Sequence, residues 1–140
     1  MLTLIFTPLI AVVLAQAIKF ILESIEQGEI LWFRFFEPGG MPSSHTALVI
    51  SLVTAIAYRH GIQSDLFALA VVFAGVVVFD AMGVRRSAGE HAKTINQLLN
   101  IMGFRRHPDD GPLKERLGHS PAEVMAGALL GFIIAWLLNT

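Results

Sequence analysis

The 140-residue sequence contains no cysteine and few charged residues. Without cysteine the chain has neither disulfide bonds nor a thiolate metal site, and its redox compartment stays open. Charged residues make up 15% of the chain, against about 25% in typical soluble proteins. The formal net charge of -1 provides no general basic surface, so we do not expect nucleic acid as a partner.

Hydrophobic residues, by contrast, make up 54% of the chain, and the mean hydropathy is +0.64. Four apolar stretches are long enough to cross or deeply enter a bilayer: residues 2–22, 42–58, 65–82 and 121–138. The uninterrupted apolar part of the second, from Thr46 to Tyr58, is short, so a buried or re-entrant helix is the alternative there. We predict an all-α integral membrane bundle in which residues 1–140 form a single domain with about four membrane-embedded helices.

Small residues in the first and last stretches carry further information. Ala15-Gln16-Ala17 resembles a signal-peptidase site, but no Lys or Arg precedes it, so a retained helix is favoured. Gly127 and Gly131 form a small-xxx-small pair that lets another helix approach closely. We expect this face to pack against another helix, either within the chain or from a second copy in a homo-oligomer.

Between the third and fourth stretches, apolar residues recur at helical spacing among charged and polar ones. The apolar set is Val84, Ala88, Ala92, Ile95, Leu98, Leu99 and Met102. This pattern predicts an amphipathic helix at the membrane interface. Residues 103–118, rich in proline, glycine and charge, are then expected to form a loop.

Basic residues are distributed unevenly about the four stretches. Of the ten Lys and Arg residues, all except Arg59 lie on or toward the face that carries residues 23–41 and 83–120. Because basic residues are enriched on the cytoplasmic side of membranes, we predict a multi-pass protein of the cell membrane with this face in the cytoplasm and both termini outside.

The first of two histidine motifs on that face is GGMPSSHTALVIS, residues 39–51. A proline followed by serines is typical of a helix start, with Ser43 or Ser44 capping the first amides. This structural interpretation does not explain His45. A helix start also attracts phosphate, and a histidine in its first turn can donate a proton to a leaving oxygen.

The second motif is LGHSPAEVMAGALLG, residues 117–131. Ser120 to Glu123 form a capping box with proline at the first helical position, which leaves His119 just outside the helix. A pairing of His119 with Glu123 can therefore not be assumed from helical spacing. In the functional alternative, the carboxylate holds the imidazole in its nucleophilic tautomer. The two roles of Glu123 exclude each other only partly.

Together these motifs resemble the divergent branch of the phosphatidic acid phosphatase type 2 superfamily, membrane proteins related to vanadium-dependent haloperoxidases and acid phosphatases. The resemblance covers nearly the whole chain. It is carried by Lys19, GGMPSSHTA at 39–47, DAMGVRRSAGEHA at 80–92 and LGHSPAEVMAGALLG at 117–131.

The superfamily pattern is K-x6-R-P, then P-S-G-H, then S-R-x5-H-x3-D. Residue by residue, the resemblance implies that His45 is the general acid, with Ser44 in place of glycine. It also implies that His119 is the nucleophile and that Glu123, in place of aspartate, orients it.

This sequence departs from the pattern in its arginines. It has no Arg-Pro pair, and Leu113 stands where the arginine six residues before His119 is expected. Arg85 does stand six residues before His91, which makes His91 a rival nucleophile, but Ile95 then occupies the carboxylate position. We favour His119.

The charge of a phosphate also has to be neutralised. The phosphate-binding candidates are Lys19, Arg85, Arg86, Ser43 and Ser44. Asp80, near the end of an apolar stretch, is a supporting candidate that can pair with an arginine; the alternative is that these basic residues only set topology.

The resemblance implies hydrolysis of a lipid phosphate monoester or pyrophosphate, with no metal and no cofactor. The alternative is a lipid-phosphate binding or small transport protein that keeps the pocket without turnover.

Overall fold

The protein is described by a computed structural model over residues 3–30, 39–104, 111–115 and 117–140. These residues form five α-helices and no strand, which confirms the all-α class. The helices are α1 (Thr3–Gln27), α2 (Ser44–His60), α3 (Asp65–Met82), α4 (Val84–Ile101) and α5 (Pro121–Asn139).

Three serines mark the starts of the helices that follow a turn. The hydroxyls of Ser43, Ser64 and Ser120 accept hydrogen bonds from the backbone N–H groups three residues later, at the starts of α2, α3 and α5. Each bond satisfies an amide that has no carbonyl partner within its own helix. These local signals explain why α3 and α5 begin where the apolar stretches predict.

α1 extends further than its apolar stretch. It ends at Gln27 rather than near residue 22, because Glu23 and Glu26 interrupt the hydropathy but are good helix formers. Ala11 and Ala15 on α1 are fully buried in the core, so the first stretch is an integral part of the folded bundle.

α2 lies at the centre of the bundle and contacts α1, α3 and α5. At its closest approach to α5, the backbones of Gly127 and Gly131 lie against the carbonyl oxygens of Ser43 and Ala47, and a Cβ atom at either glycine would collide with them. The predicted small-residue face of α5 is therefore covered by α2 within one chain and is not open to a second copy.

Among the described residues, three helical segments are long and apolar enough to cross a membrane: α1, the stretch Asp65–Ile101 that contains α3 and α4, and α5. α2, with 17 residues, is not among them. It lies at the centre of the bundle, with α1, α3 and α5 packed against it. Large side chains of α3 such as Leu69, Val72 and Val76 are exposed and can face lipid. The molecule is thus a membrane helical bundle.

α4 is the predicted amphipathic helix. Gly89, Ala92 and Asn96 are buried on one of its faces, whereas Ile95 and Leu98 are exposed on another. The described parts of the predicted loop, residues 103–104, 111–115 and 117–118, form neither helix nor strand, and its other residues lie outside the described ranges.

Candidate active site

The candidate site lies at the end of the bundle where α3 ends and where α2 and α5 begin. Two backbone hydrogen bonds join these elements: His119 N–H donates to the Ala81 carbonyl (2.9 Å), and Ser43 N–H donates to the Glu123 carbonyl (3.0 Å). The two histidine motifs, far apart in the sequence, are thereby brought together.

His119 is held by Glu123. Nδ1 of His119 lies 2.8 Å from Oε2 of Glu123, and the imidazole is only 4% exposed. A neutral imidazole that donates its Nδ1 proton to this carboxylate presents Nε2 as a lone pair, which is the form that a nucleophile requires.

The same carboxylate completes the capping box of α5. Ser120 N–H donates to Oε2 of Glu123 (3.3 Å), and Glu123 N–H donates to Oγ of Ser120 (3.3 Å). Gly118, with a φ of 81°, turns the chain immediately before His119, a conformation that favours glycine. One carboxylate oxygen therefore serves both the helix start and the histidine, so the structural and functional interpretations of Glu123 hold together.

His45 occupies the first turn of α2, outside the three membrane-spanning segments. Its ring centroid lies 6.0 Å from that of His119, with the planes inclined by 57°. Nδ1 of His45 is buried and has no hydrogen-bond partner among the described residues. Burial lowers the pKa of His45 from the usual 6.5, and the positive charge of Arg85 acts in the same direction.

A cavity of about 230 Å³ lies between the two histidines and the start of α4. Its lining residues are Gly39, His45, Arg85, Ala88, Leu117, Gly118 and His119. Two histidines, which can transfer protons or act as nucleophiles, therefore line the same cavity as one arginine, which is permanently charged.

Arg85 provides that cation. Its Nε donates a short hydrogen bond to Oδ2 of Asp80 (2.6 Å). The two terminal nitrogens make no hydrogen bond to any described residue. Asp80 therefore orients the guanidinium and leaves its planar fork for an anion. Arginines at the start of a helix oppose the helix dipole. Asp80 places a negative charge beside the start of α4 and offsets part of this unfavourable interaction.

A second cavity, of about 560 Å³, adjoins the first and shares Gly39 and Gly118 as a wall. The carboxylate residues Glu23, Glu26 and Glu123 contribute to its lining. Because carboxylates repel an anion, the second cavity is less suited to a phosphate than the cavity that Arg85 lines.

Comparisons with known proteins bear on the family. The sequence profile of the Divergent PAP2 family matches residues 2–134, nearly the whole chain. This chain belongs to the Divergent PAP2 family. It is also 41% identical over 141 residues to the "Uncharacterized membrane protein YuiD" of Bacillus subtilis (strain 168), in an alignment that covers 93% of this chain and 89% of the relative. No solved structure matches the chain.

In this Divergent PAP2 family protein, the serines of the first motif have a structural place. Ser43 is fully buried, and its hydroxyl accepts hydrogen bonds from the N–H (3.3 Å) and the Oγ1 (3.0 Å) of Thr46. Ser44 is the first residue of α2, and neither serine lines the cavity. The structure therefore shows Ser43 as a helix cap and does not bring either side chain to the predicted phosphate position.

Other predicted residues also lie outside the cavity lining. Lys19 is 3% exposed and packs beneath Gly40, where a Cβ atom would lie 3.0 Å from Cδ of Lys19. Arg86 and His91 are exposed on α4. The arrangement thus pairs His45 with His119 rather than with His91, and it brings Arg85 rather than Arg86 to the cavity.

Two contributions to the site were not predicted from the sequence pattern. Gly39 and Gly118 line both cavities, and their φ angles of 93° and 81° lie in the left-handed region. The signal for them is that Gly39 begins the first motif and Gly118 immediately precedes His119 in the second. At Gly118 a Cβ atom would collide with the backbone of Arg86, so only glycine allows the chain to pass this close to α4.

Proposed function

We propose that this protein hydrolyses a lipid phosphate monoester or pyrophosphate through a phosphohistidine intermediate, at the cytoplasmic face of the cell membrane. One observation carries the proposal: His119, held by Glu123 at 2.8 Å, faces His45 at a ring-to-ring distance of 6.0 Å in a cavity that Arg85 also lines. Membership of the Divergent PAP2 family supports it.

In the first step, Nε2 of His119 attacks phosphorus, and the bond from phosphorus to the leaving oxygen breaks. Protonated His45 donates its proton to that oxygen, so the leaving group departs as a neutral alcohol or as a protonated phosphate. Glu123 keeps the proton of His119 on Nδ1 and stabilises the positive charge that develops on the ring.

In the second step, water attacks the phosphorus of the phosphohistidine. His45, now neutral, accepts the proton of this water, and the N–P bond breaks to release phosphate and regenerate His119. Arg85 stabilises the charge on the equatorial phosphoryl oxygens in both steps, with its terminal nitrogens as donors.

The bundle supports a lipid substrate. The site lies at the end of helices that can cross a membrane, and Ala88 on the amphipathic helix α4 lines the cavity. The phosphate of a lipid lies near the headgroups, at the same level in the membrane as the end of these helices. The acyl chains of the lipid need an apolar surface, and the exposed Ile95 and Leu98 of α4 provide one.

The distribution of basic residues supports the cytoplasmic side. Arg59 donates a hydrogen bond to Thr3 at the start of α1 (3.0 Å), so these residues lie together at the end of the bundle opposite the histidines. By their position in the sequence, the other basic residues fall on or toward the side predicted to carry residues 23–41 and 83–120, as expected for a cytoplasmic face.

The alternative function is binding or transport of a lipid phosphate without turnover. The bond between Asp80 and Arg85 favours it, because Asp80 offsets part of the charge of the one predicted phosphate-binding cation that lines the cavity. Leu113 in place of the superfamily arginine favours it as well.

Phosphate release separates the two functions. The full chain, purified and reconstituted in vesicles, is given a panel of lipid monophosphates and pyrophosphates. Release by the wild type, a trapped phosphohistidine, and loss of both in His119→Ala support the hydrolase. His60→Ala, at the far end of α2, serves as the matched histidine control and should retain release.

Saturable binding of the same lipids without release, equal in the wild type and His119→Ala, would instead support the non-enzymatic alternative. Release that persists in His119→Ala but disappears in His91→Ala would transfer the nucleophilic role to His91.

Labelling tests the sidedness. Tags at both termini should be open to protease from outside intact cells, whereas Asp109→Cys should react with an impermeant thiol reagent only after the membrane is breached. The reverse pattern would place the site on the outer face.

A further inference from the structure

Asn96 makes a set of contacts that the proposed reaction does not use. It lies on α4 and is 9% exposed. Its Nδ2 donates to the Leu113 carbonyl (2.9 Å) and to Oε1 of Glu115 (2.8 Å), and its Oδ1 accepts from Leu113 N–H (3.0 Å). A side-chain amide thereby pairs with both backbone groups of Leu113, as a neighbouring β-strand would.

Two glycines continue this contact toward the site. A Cβ atom on Gly89 of α4 would lie 2.5 Å from the Glu115 carbonyl oxygen and 3.0 Å from that of Leu117. A Cβ atom on Gly118 would collide with the backbone nitrogen of Arg86. We refer to residues 113–115 and 117–118 as the docked segment, because they lie directly against the backbone of α4.

The contacts follow one register along the helix. Leu113 meets Asn96, Glu115 and Leu117 meet Gly89, and Gly118 meets Arg86. Residue numbers rise along the docked segment as they fall along α4 from Asn96 to Arg86, so the two run antiparallel.

This register fixes the two sides of the cavity relative to each other. Arg85 immediately precedes Arg86, and His119 immediately follows Gly118; both Arg85 and His119 line the cavity. The separation of the guanidinium from the imidazole is thus set by how α4 and the docked segment are joined, and Asn96 is the side chain that joins them by hydrogen bonds.

We propose that Asn96 is a positioning residue for the reaction at His119, acting through the docked segment. The proposal rests on the proposed function. A displacement of about 1 Å between reacting groups can lower a rate about 100-fold, so loss of this join reaches the chemistry even though Asn96 is not among the residues that line the cavity.

Asn96→Ala removes the three hydrogen bonds while it keeps the helix. We expect kcat for a lipid phosphate to fall about 10- to 100-fold, with KM changed by less than about threefold because Arg85 still binds the phosphate. Gln97→Ala is the matched control, since Gln97 is the exposed neighbour on the same helix, and its kcat and KM should equal those of the wild type.

A pair of substitutions tests the hydrogen bond itself. In Asn96→Asp the new carboxylate has no N–H group to donate to the Leu113 carbonyl or to the Glu115 carboxylate, so oxygen acceptors face one another. The value of kcat should therefore fall below that of Asn96→Ala. Adding Glu115→Gln supplies an amide donor to the new carboxylate, and the double variant should recover at least about threefold in kcat. Glu115→Gln alone keeps the acceptor and should resemble the wild type.

The His119 ring resonances give a readout that does not depend on turnover. In Asn96→Ala they should shift and broaden, and the Leu113 amide should exchange at least about tenfold faster; neither should change in Gln97→Ala. If no protein, including the wild type, releases phosphate, the proposed function fails while the His119 resonances still decide the role of Asn96. Unchanged resonances together with unchanged kcat in Asn96→Ala, despite fast exchange at Leu113, would overturn it.

Discussion

The two sides of the cavity differ in how firmly they are held. The side chains of His119 and Glu123 are 4% and 25% exposed and belong to a motif that is hydrogen-bonded to both α2 and α3. The side chains of Arg85 and Asp80 are 50% and 41% exposed, and among the described helices α4 packs only on α3. The group that would form a bond is thus buried, and the group that would bind charge is open.

This difference agrees with the roles that the proposed function gives to the two groups. A nucleophile must be held within a fraction of an ångström of its productive position. A cation acts on an anion over a longer distance, so it tolerates exposure at the side where a lipid arrives. The predictions below test whether the two sides have these separate roles.

The largest effect is expected on the buried side. His119→Ala and His45→Ala should each lower phosphate release at least ~100-fold. Only His119→Ala should abolish the covalent phosphohistidine, because His45 donates a proton and forms no bond to phosphorus. Acid-quench trapping with labelled substrate measures this. Equal trapping in both variants would contradict the division of roles.

A smaller effect is expected on the open side. Lysine keeps the charge of arginine but not its planar fork, so Arg85→Lys should lower kcat roughly 10- to 1,000-fold. Arg86→Lys should have a mild effect, because Arg86 does not line the cavity. Insertion and abundance should be normal in both. Normal activity in both variants would remove the arginines from the site and leave Lys19 as the remaining predicted cation.

The pH dependence of kcat/KM tests both sides of the cavity together, because Arg85 on the open side influences the pKa of His45 on the buried side. Burial and the charge of Arg85 lower the pKa of His45 below 6.5, and the proposed acid must be protonated in the free protein. The value of kcat/KM should therefore fall as pH rises, with its alkaline limb below pH 6.5. Arg85→Lys keeps the charge and should leave that limb in place, whereas Arg85→Gln should move it to higher pH.

The lowered pKa of His45 should also make the stability of the fold depend on pH. His45 favours its neutral form in the folded state, so the free energy of unfolding should decrease as pH falls from 6.5 through the lowered pKa. His45→Gln should remove this dependence. An alkaline limb of kcat/KM above 6.5 in the wild type would mean that another group supplies the proton.

The smallest effect is expected from chelation. Arginine and two histidines provide the charge stabilisation and proton transfer that a divalent ion provides in other phosphatases, so EDTA should leave release unchanged. Vanadate should inhibit, because its trigonal-bipyramidal adduct with an imidazole resembles the transition state. Activity that is lost in EDTA and fully restored by magnesium would contradict this mechanism.

Much of the fold could be predicted because local signals mark it. The apolar stretch 65–82 predicted α3, Ser120 with Pro121 predicted the start of α5, and the 3.6-residue periodicity identified α4. The end of α1 was not found, because hydropathy marks where the apolar surface stops and Gln27 lies beyond that point.

The site was harder to predict because its geometry depends on backbone turns and on contacts between distant segments. His119 and Glu123 were identified by resemblance, but their pairing depends on the turn at Gly118. Asn96 was counted among the polar residues of an amphipathic helix. Nothing in the periodicity distinguishes a solvated amide from one that binds the backbone of a segment seventeen residues later.

The close packing of α5 on α2 has a consequence for biosynthesis. The ribosome produces α2 well before α5, and Gly127 and Gly131 belong to the helix that covers the central helix α2. Glu123, which holds His119, begins the same helix. Addition of α5 therefore covers α2 and supplies the carboxylate that holds His119 in one event, so a chain released before that point would present quality-control proteases with an uncovered helix and an incomplete candidate site.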